Sequence, residues 1–289
     1  VNYDHAYHAG NPADVVKHAA LSLVLAELVR KDAPVHYLDT HAGAGLFPLL
    51  DPAGEWTQGI GRLWTRAARR RLPELATWLD LLGDTEAPLE AYPGSPALAQ
   101  ALLRPGDRLE LCEARKKDAL LLAERLELGR DRRVVLRESD GWAALAKLRV
   151  REGHRLLALI DPPFESVDEW DTIDEAVVEA AARPSAVIML WYPIKAGPPH
   201  EGRADALRDA LEQAGHPGLS VEVRLRGGLV LPKVTNPRVR PGLVGTGLLL
   251  LGAPGRAVAR LSAVLPELCR MMSRPEYGGA WEAVLQGWG

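Results

Sequence analysis

Short apolar runs alternate with segments of helical period along almost the whole of this 289-residue chain, and that alternation limits the possible folds more than any other feature. The apolar runs are 34–40, 107–114, 132–139, 154–160, 186–192, 219–225 and 244–251. The helical segments are 11–31, 96–104, 116–128, 142–148, 168–183, 202–214 and one that starts near 256 and runs past 268. Such an order builds a mostly parallel sheet with helices on both faces. The stretch 226–243 has no helical period, so the last strand is expected to be antiparallel. Asn11 followed by Pro12 gives the first helix a capping residue and a preorganised first turn. Ser95 followed by Pro96 reads the same way.

The pattern breaks between 51 and 90. Trp56, Leu63, Trp64, Leu72, Leu75, Trp78, Leu79, Leu81 and Leu82 lie among charges there, with Arg66, Arg69, Arg70 and Arg71 close together. Two or three short helices are expected, forming a small inserted subdomain. The main domain is then 1–50 and 91–289. The three tryptophans suit a small core for this insertion. The arginine run suits either a solvated helix face or contacts to phosphates.

Four successive strands end in acids: Asp39, Glu113, Asp140 and Asp161. Ligands of open α/β sheets bind outside the carboxyl ends of the strands. The first strand runs into Thr40-His-Ala-Gly-Ala-Gly45, a small-residue loop of the kind that lets a backbone approach a dinucleotide or adenosyl group in Rossmann-like sheets. Gly43 and Gly45 permit that approach, and Glu113 stands where an acid takes ribose hydroxyls. Each acid singly could do no more than end a strand or cap a helix. Four in register, with the glycines, point to a site.

Nicotinamide cofactors and S-adenosylmethionine both fit these features. Asp161-Pro-Pro-Phe164 separates them. Two prolines after a strand make a rigid turn. The turn presents a carboxylate, the Pro162 carbonyl and an aromatic ring together. An aromatic amine is a weak nucleophile, because its lone pair is delocalised. Asp161 and the Pro162 carbonyl, by accepting its hydrogens, would localise that lone pair toward a nearby sulfonium methyl. Asp161 is also placed to take the proton. Phe164 would stack on the base.

These residues, with others, resemble a known family. Asp-Pro-Pro-aromatic is the signature of Rossmann-like amino-methyltransferases. The closer resemblance is to the RlmJ type of 23S ribosomal RNA adenine-N6 methyltransferase. It is carried by Tyr3, His8-Ala-Gly-Asn-Pro-Ala-Asp-Val-Val-Lys-His18, Tyr37-Leu-Asp-Thr-His-Ala-Gly-Ala-Gly45, Tyr92-Pro-Gly-Ser-Pro96, Asp140-Gly141, Asp161-Pro-Pro-Phe164 and Leu190-Trp-Tyr-Pro193. The resemblance implies a seven-stranded methyltransferase sheet and S-adenosylmethionine held by His18, His41, Ser95, Glu113, Asp140, Gly141 and Asp161. It further implies that Asp161 is the proton acceptor, that Lys17 lies nearby, and that Tyr3 meets the RNA. Phe164 stands where relatives usually carry Tyr, which keeps stacking but removes a phenol. Asp4 stands where an Arg is familiar.

The remaining expectations concern class and setting. His5, His8, His18 and His41 lack the spacing of a metal site, and no metal is expected. Cys112 and Cys269 form no CxxC. No apolar run approaches the ~20 residues of a membrane span. The start lacks a signal-peptide pattern. The expectation is a cytoplasmic monomer without an obligate protein partner, acting on 23S ribosomal RNA. A net charge of -3 means that any RNA contact needs a local basic patch, such as one formed by Arg224, Arg226, Lys233, Arg238 and Arg240. The rivals are a DNA adenine methyltransferase, a metal-dependent hydrolase using the histidines, and a non-catalytic RNA-binding module.

Overall fold

The computed structural model describes residues 5–164, 169–195, 201–226, 243–273 and 280–289. The chain opens with α1 (His5–His8), α2 (Pro12–Val29), β1 (Val35–Asp39) and β2 (Leu46–Pro48). Three short helices follow, α3 (Ile60–Leu63), α4 (Arg66–Arg71) and α5 (Ala76–Leu81), and then β3 (Ala91–Pro93). The next elements are α6 (Ser95–Leu102), β4 (Arg108–Cys112), α7 (Lys116–Arg125), β5 (Val134–Arg137), α8 (Gly141–Lys147) and β6 (Arg155–Ile160). The chain continues through α9 (Glu169–Ala181), β7 (Ala186–Lys195), α10 (Arg203–Gln213), β8 (Gly218–Arg226), β9 (Leu243–Leu251), α11 (Gly255–Met272) and β10 (Ala280–Trp288).

Among the described residues eight strands form one sheet in the order β10-β8-β9-β7-β6-β1-β4-β5. The run β7-β6-β1-β4-β5 is parallel. β9 lies antiparallel between β7 and β8, so the expected direction of that strand holds. One strand more than expected is present. β10 pairs antiparallel with β8 along its whole length. Its alternation was in the sequence, since Trp281, Ala283 and Leu285 share one face and pack on the core. One half-buried edge strand gives a weaker signal than a buried central one.

β6 shows why the centre was legible. Leu157 and Leu159 enter one apolar cluster while Leu156, Ala158 and Ile160 enter the other, as a strand buried on both faces requires. The larger cluster takes α2, α6, α7 and α11, and the smaller takes α8, α9 and α10. Ile60, Leu63, Leu72, Leu75, Trp78 and Leu79 of the 51–90 segment join the larger cluster rather than forming one of their own. Trp56 and Trp64 pack at its margin. β2 and β3 pair across the base of this segment.

Two features position the site. First, the chain runs outward from β1 through β4 to β5, then crosses back to β6 and β7. The strand order therefore reverses between β1 and β6, which is where an open α/β sheet leaves a crevice. Second, α2 is buried along nearly all its length, with Lys17 and His18 among its buried residues. Asn11 caps it as expected, accepting from the Asp14 amide at 3.0 Å.

Candidate active site at the reversal of strand order

Asp39 and Asp161 follow the two strands that flank the crevice, since Asp39 pairs in register with Leu159, two residues before Asp161. Lys17 reaches across from α2. Its ammonium donates to Asp161 Oδ2 at 2.5 Å and pairs with Asp14 Oδ1 at 2.8 Å. Burial alone would drive Lys17 toward neutrality, but the charges of Asp14 and Asp161 and their hydrogen bonds outweigh it and raise the pKa. The ammonium also lies 5.6 Å from the centre of the Trp191 ring. Asp14 Oδ2 accepts from the Gly10 amide at 2.9 Å. Burial works against the Asp14 carboxylate too, yet Lys17 holds its pKa below the usual value.

His18 follows Lys17 and lies beside Tyr92, with Nδ1 2.6 Å from the phenol oxygen. Burial and the Lys17 charge hold its pKa at about 3, so the ring is neutral. Its Nε2 is buried and has no hydrogen-bond partner among the described residues. Buried polar nitrogens are seldom left so, and an orphan of this kind marks a place for a ligand atom or a water.

Asp39 is fully buried. It accepts from the Tyr37 hydroxyl at 2.8 Å and from the His41 amide at 3.3 Å. Burial raises its pKa to about 6 against hydrogen bonds from Ser95 and Tyr37. The Ser95 interaction corrects an expectation. Helix α6 starts at Ser95 itself with Gly94 as its cap, and no side chain caps it. The Ser95 hydroxyl faces Asp39 instead.

The glycine loop lies directly above. Gly43 and Gly45 have φ of 61° and 73°, a left-handed backbone that side chains disfavour. Glu113 ties the loop down, accepting from the Gly43 amide at 2.9 Å and, through its other oxygen, from the Arg115 amide at 2.8 Å. Asp140 caps α8, accepting from the Trp142 amide at 3.0 Å, which was the plainer of the two readings of that acid. Gly141 presses on the first strand, since a Cβ there would lie 2.0 Å from the Thr40 carbonyl oxygen. His41 packs edge-on to Trp142, and burial lowers its pKa. Ser95 thus faces Asp39, His41 faces Asp161 and Asp140, Glu113 holds Gly43, Gly141 lies against Thr40, and His18 adjoins Lys17.

Phe164 departs from expectation. It has a φ of 50° and is 2% exposed, with its ring against Trp170 and Trp191. Its carbonyl accepts from Lys195 at 3.1 Å. The face meant for a base is covered in this structure, because a ring at a rigid turn buries itself wherever other aromatic rings offer a wall. Pro162 is buried and Pro163 exposed. Tyr3 and Asp4 lie outside the described residues, as do Lys233, Arg238 and Arg240. The sequence reading missed Asp14 and Tyr37. Asp14 carried a signal, an acid three residues before Lys17 on one helix face. Among the described residues no three His, Cys, Asp or Glu side chains gather to hold a metal. No described helix is long and apolar enough to cross a membrane.

Residues 32–285 match the family model described as ribosomal RNA large subunit methyltransferase D, RlmJ. The chain is 32% identical over 276 residues to ribosomal RNA large subunit methyltransferase J of Escherichia coli K12, covering 93% of this chain and 92% of that one. It is 31% identical over 292 residues to the Haemophilus influenzae protein of the same name, covering 97% of each. A crystal structure of a Legionella pneumophila protein matches with a TM-score of 0.81 at 28% identity, covering 98% of this chain and 99% of that one.

Proposed function

We propose, from the premise that this chain belongs to the RlmJ family of ribosomal RNA large subunit methyltransferases, that it methylates the exocyclic N6 amine of an adenine in 23S ribosomal RNA. The observation that carries the reading is the Asp161 carboxylate held by Lys17 at the reversal of strand order, beside the glycine loop.

The residues fit S-adenosylmethionine. The left-handed turn at Gly43 and Gly45 and the close seating of Gly141 on Thr40 shape a loop whose backbone, not side chains, can meet an adenosyl group. The orphaned His18 Nε2, Ser95 and His41 can hold its amino-acid end, and Glu113 and Asp140 can accept from ribose and base. When bound, that cofactor supplies an electrophilic methyl group. Asp161 and the Pro162 carbonyl accept the two hydrogens of the amine and localise its lone pair. Transfer would form the C–N bond as the C–S bond breaks, leaving a neutral thioether, and the proton of the then positive nitrogen would pass to Asp161. Lys17 would border the incoming nucleotide, and the family resemblance implies that Tyr3 meets the RNA. Phe164 would meet the base only after its ring turns out of the tryptophan cluster. The adenine must be unpaired or extruded, because an amine stacked in a helix cannot reach the crevice. We further assign 51–90 as a helical insertion into a single methyltransferase domain.

Purified protein given methyl-labelled S-adenosylmethionine should methylate an adenine amine in unmodified 23S ribosomal RNA. Asp161→Ala should abolish transfer while its circular dichroism spectrum stays that of the parent. Full activity in that variant would sink the mechanism. Equal or better transfer to duplex DNA would favour the DNA-directed alternative.

A further inference from the structure

We infer that Asp14 is a positioning residue for methyl transfer, holding Lys17 so that it occupies one oxygen of Asp161 and leaves the other for the substrate amine. The inference rests on the reading of Asp161 as the acceptor.

The geometry is that of a fork. The Lys17 ammonium bridges Asp14 Oδ1 at 2.8 Å and Asp161 Oδ2 at 2.5 Å. Among the described residues the second Asp161 oxygen has no hydrogen-bond partner, although the Asp161 side chain is only 18% exposed. A carboxylate that must accept a hydrogen from an amine needs such a free oxygen. A lysine ammonium has three donors on a flexible stem. Left with Asp161 as its only buried counter-ion, it would centre on that carboxylate and block both oxygens.

Asp14 prevents this because it is itself fixed. Its Oδ2 accepts from the Gly10 amide, and its own amide donates to Asn11 Oδ1 at the helix cap. Asn11 is anchored in turn, donating from Nδ2 to Glu55 at 3.0 Å, and His8 meets the same Glu55 oxygen at 2.9 Å. The Ile60 amide donates to the Gly10 carbonyl at 2.8 Å. The 51–90 segment therefore clamps the turn that aims Asp14, and this gives the segment a part in the chemistry without any contact to substrate.

The groups facing this ion pair are few. His18 adjoins Lys17 on the helix and is neutral. Asp39 and His41 face Asp161 from the end of β1. Trp191 faces the ammonium from β7 without a formal charge. Tyr37 faces Asp161 and Tyr92 faces Asp14, and burial pushes both phenols up so that they stay neutral; the local charge state thus turns on Asp14, Lys17 and Asp161, with Asp39 the one further carboxylate in range. Removing the Asp14 charge takes away a cause that raises the Lys17 pKa, so the Lys17 proton should be lost at lower pH.

The test compares wild type, Asp14→Asn and Asp14→Glu. Asp14→Asn keeps an oxygen for the Gly10 amide, but it removes the charge and puts an NH2 donor, which cannot accept from the ammonium, where Oδ1 meets Lys17. Two measurements are made on each protein. One is single-turnover methyl transfer to unmodified 23S ribosomal RNA across pH 6–10.5, with saturating S-adenosylmethionine. The other is a nuclear magnetic resonance titration of the Lys17 ε-carbon, which needs no RNA. In Asp14→Asn the transfer rate should fall roughly tenfold to a hundredfold, the range set by misplacing one group at a reacting centre. In this window wild type should show no alkaline limb from Lys17 and no Lys17 titration, because its partners hold the ammonium charged; in Asp14→Asn both should enter the window from above, while S-adenosylmethionine affinity by calorimetry stays within about twofold. Asp14→Glu should take both out of the window again. A slower Asp14→Asn in which neither enters the window would make Asp14 merely structural and overturn the inference, as would an unchanged rate. If wild type fails to methylate the RNA, the functional reading falls, and the Lys17 titration still decides whether Asp14 governs its charge.

Discussion

At the carboxyl ends of β1 and β6, Lys17, Asp14, Asp39 and Asp161 lie within one buried crevice, whereas along α4 the arginines pair near solvent. Arg66 meets Glu86 at 2.8 Å, Arg69 meets Asp80 at 2.6 Å, and Arg71 meets Glu267 at 3.2 Å. The residue types and distances in the two regions are alike. Their surroundings are not, since Lys17 is 9% exposed in its side chain and Arg66 is 66% exposed. In the crevice each charge depends on its partners, because water cannot replace them. On α4 water can, and the pairs serve mainly to neutralise a cationic run. Three of the four arginines are spent on acids, so the 66–71 run is a weaker phosphate platform than its sequence suggested.

The largest expected effect comes from breaking the buried side. Lys17→Met leaves Asp14 and Asp161 as unpaired carboxylates in the crevice. Removing one partner of a buried pair costs about 3–5 kcal/mol, because the remaining charge is uncompensated. Urea unfolding at pH 8 should show a loss of that order, together with loss of methyl transfer. The loss should shrink as pH falls and the Asp14 carboxyl, no longer held down by Lys17, takes up a proton. A stability change below about 1 kcal/mol would mean that the crevice is as forgiving as α4.

A second variant tests the same contrast with the opposite sign. Burial lifts the pKa of Asp39 from 3.8 to about 6. Between those values the folded protein keeps a proton that the unfolded chain gives up, so stability falls as pH rises through that window. The cost is fully present above pH 6 and absent below about pH 4. Asp39→Asn should therefore be more stable than wild type at pH 8, by on the order of 1–3 kcal/mol, and equal to it near pH 4. The gain should come with weaker S-adenosylmethionine binding, since Asp39 orders Tyr37, Ser95 and the His41 amide. A loss of stability at pH 8 would show that the hydrogen bonds to the carboxylate outweigh its burial.

The contrast also explains what could be read in advance. The parallel centre announced itself, because a strand buried on both faces is written as a continuous apolar run. The acids at the strand ends were visible as chemistry. What each acid touches was not, because partners such as Tyr37 and Asp39, or Lys17 and Asp161, depend on register and on how α2 lies over the crevice. Ser95 shows the limit well. Locally Ser-Pro spells a helix cap, and only the neighbouring strand turns its hydroxyl to Asp39. Phe164 shows it again, since its burial is decided by Trp170 and Trp191 from two other elements. The arginine run read ambiguously for the same reason. Its partners Asp80, Glu86 and Glu267 lie 11, 20 and 196 residues away from Arg69, Arg66 and Arg71 respectively.

The smallest expected effect lies on the exposed side, and it is the stricter test of the contrast. Arg66 and Glu86 are 66% and 62% exposed, so each stays hydrated whether or not the other is present. Exposed pairs of this kind contribute about 0.2–1 kcal/mol, often nothing measurable, and salt screens them. Arg66→Ala should shift the urea midpoint by no more than about 0.5 kcal/mol equivalent, and the shift should vanish at high salt. Its methyl-transfer rate should match wild type if α4 is a solvated face. A fall in RNA affinity with a reduced salt slope, at unchanged stability, would instead mean that Arg66 leaves Glu86 for a phosphate. Then the two regions would differ less in kind than in timing, with the exposed pair acting as a holding place for a cation that substrate later recruits.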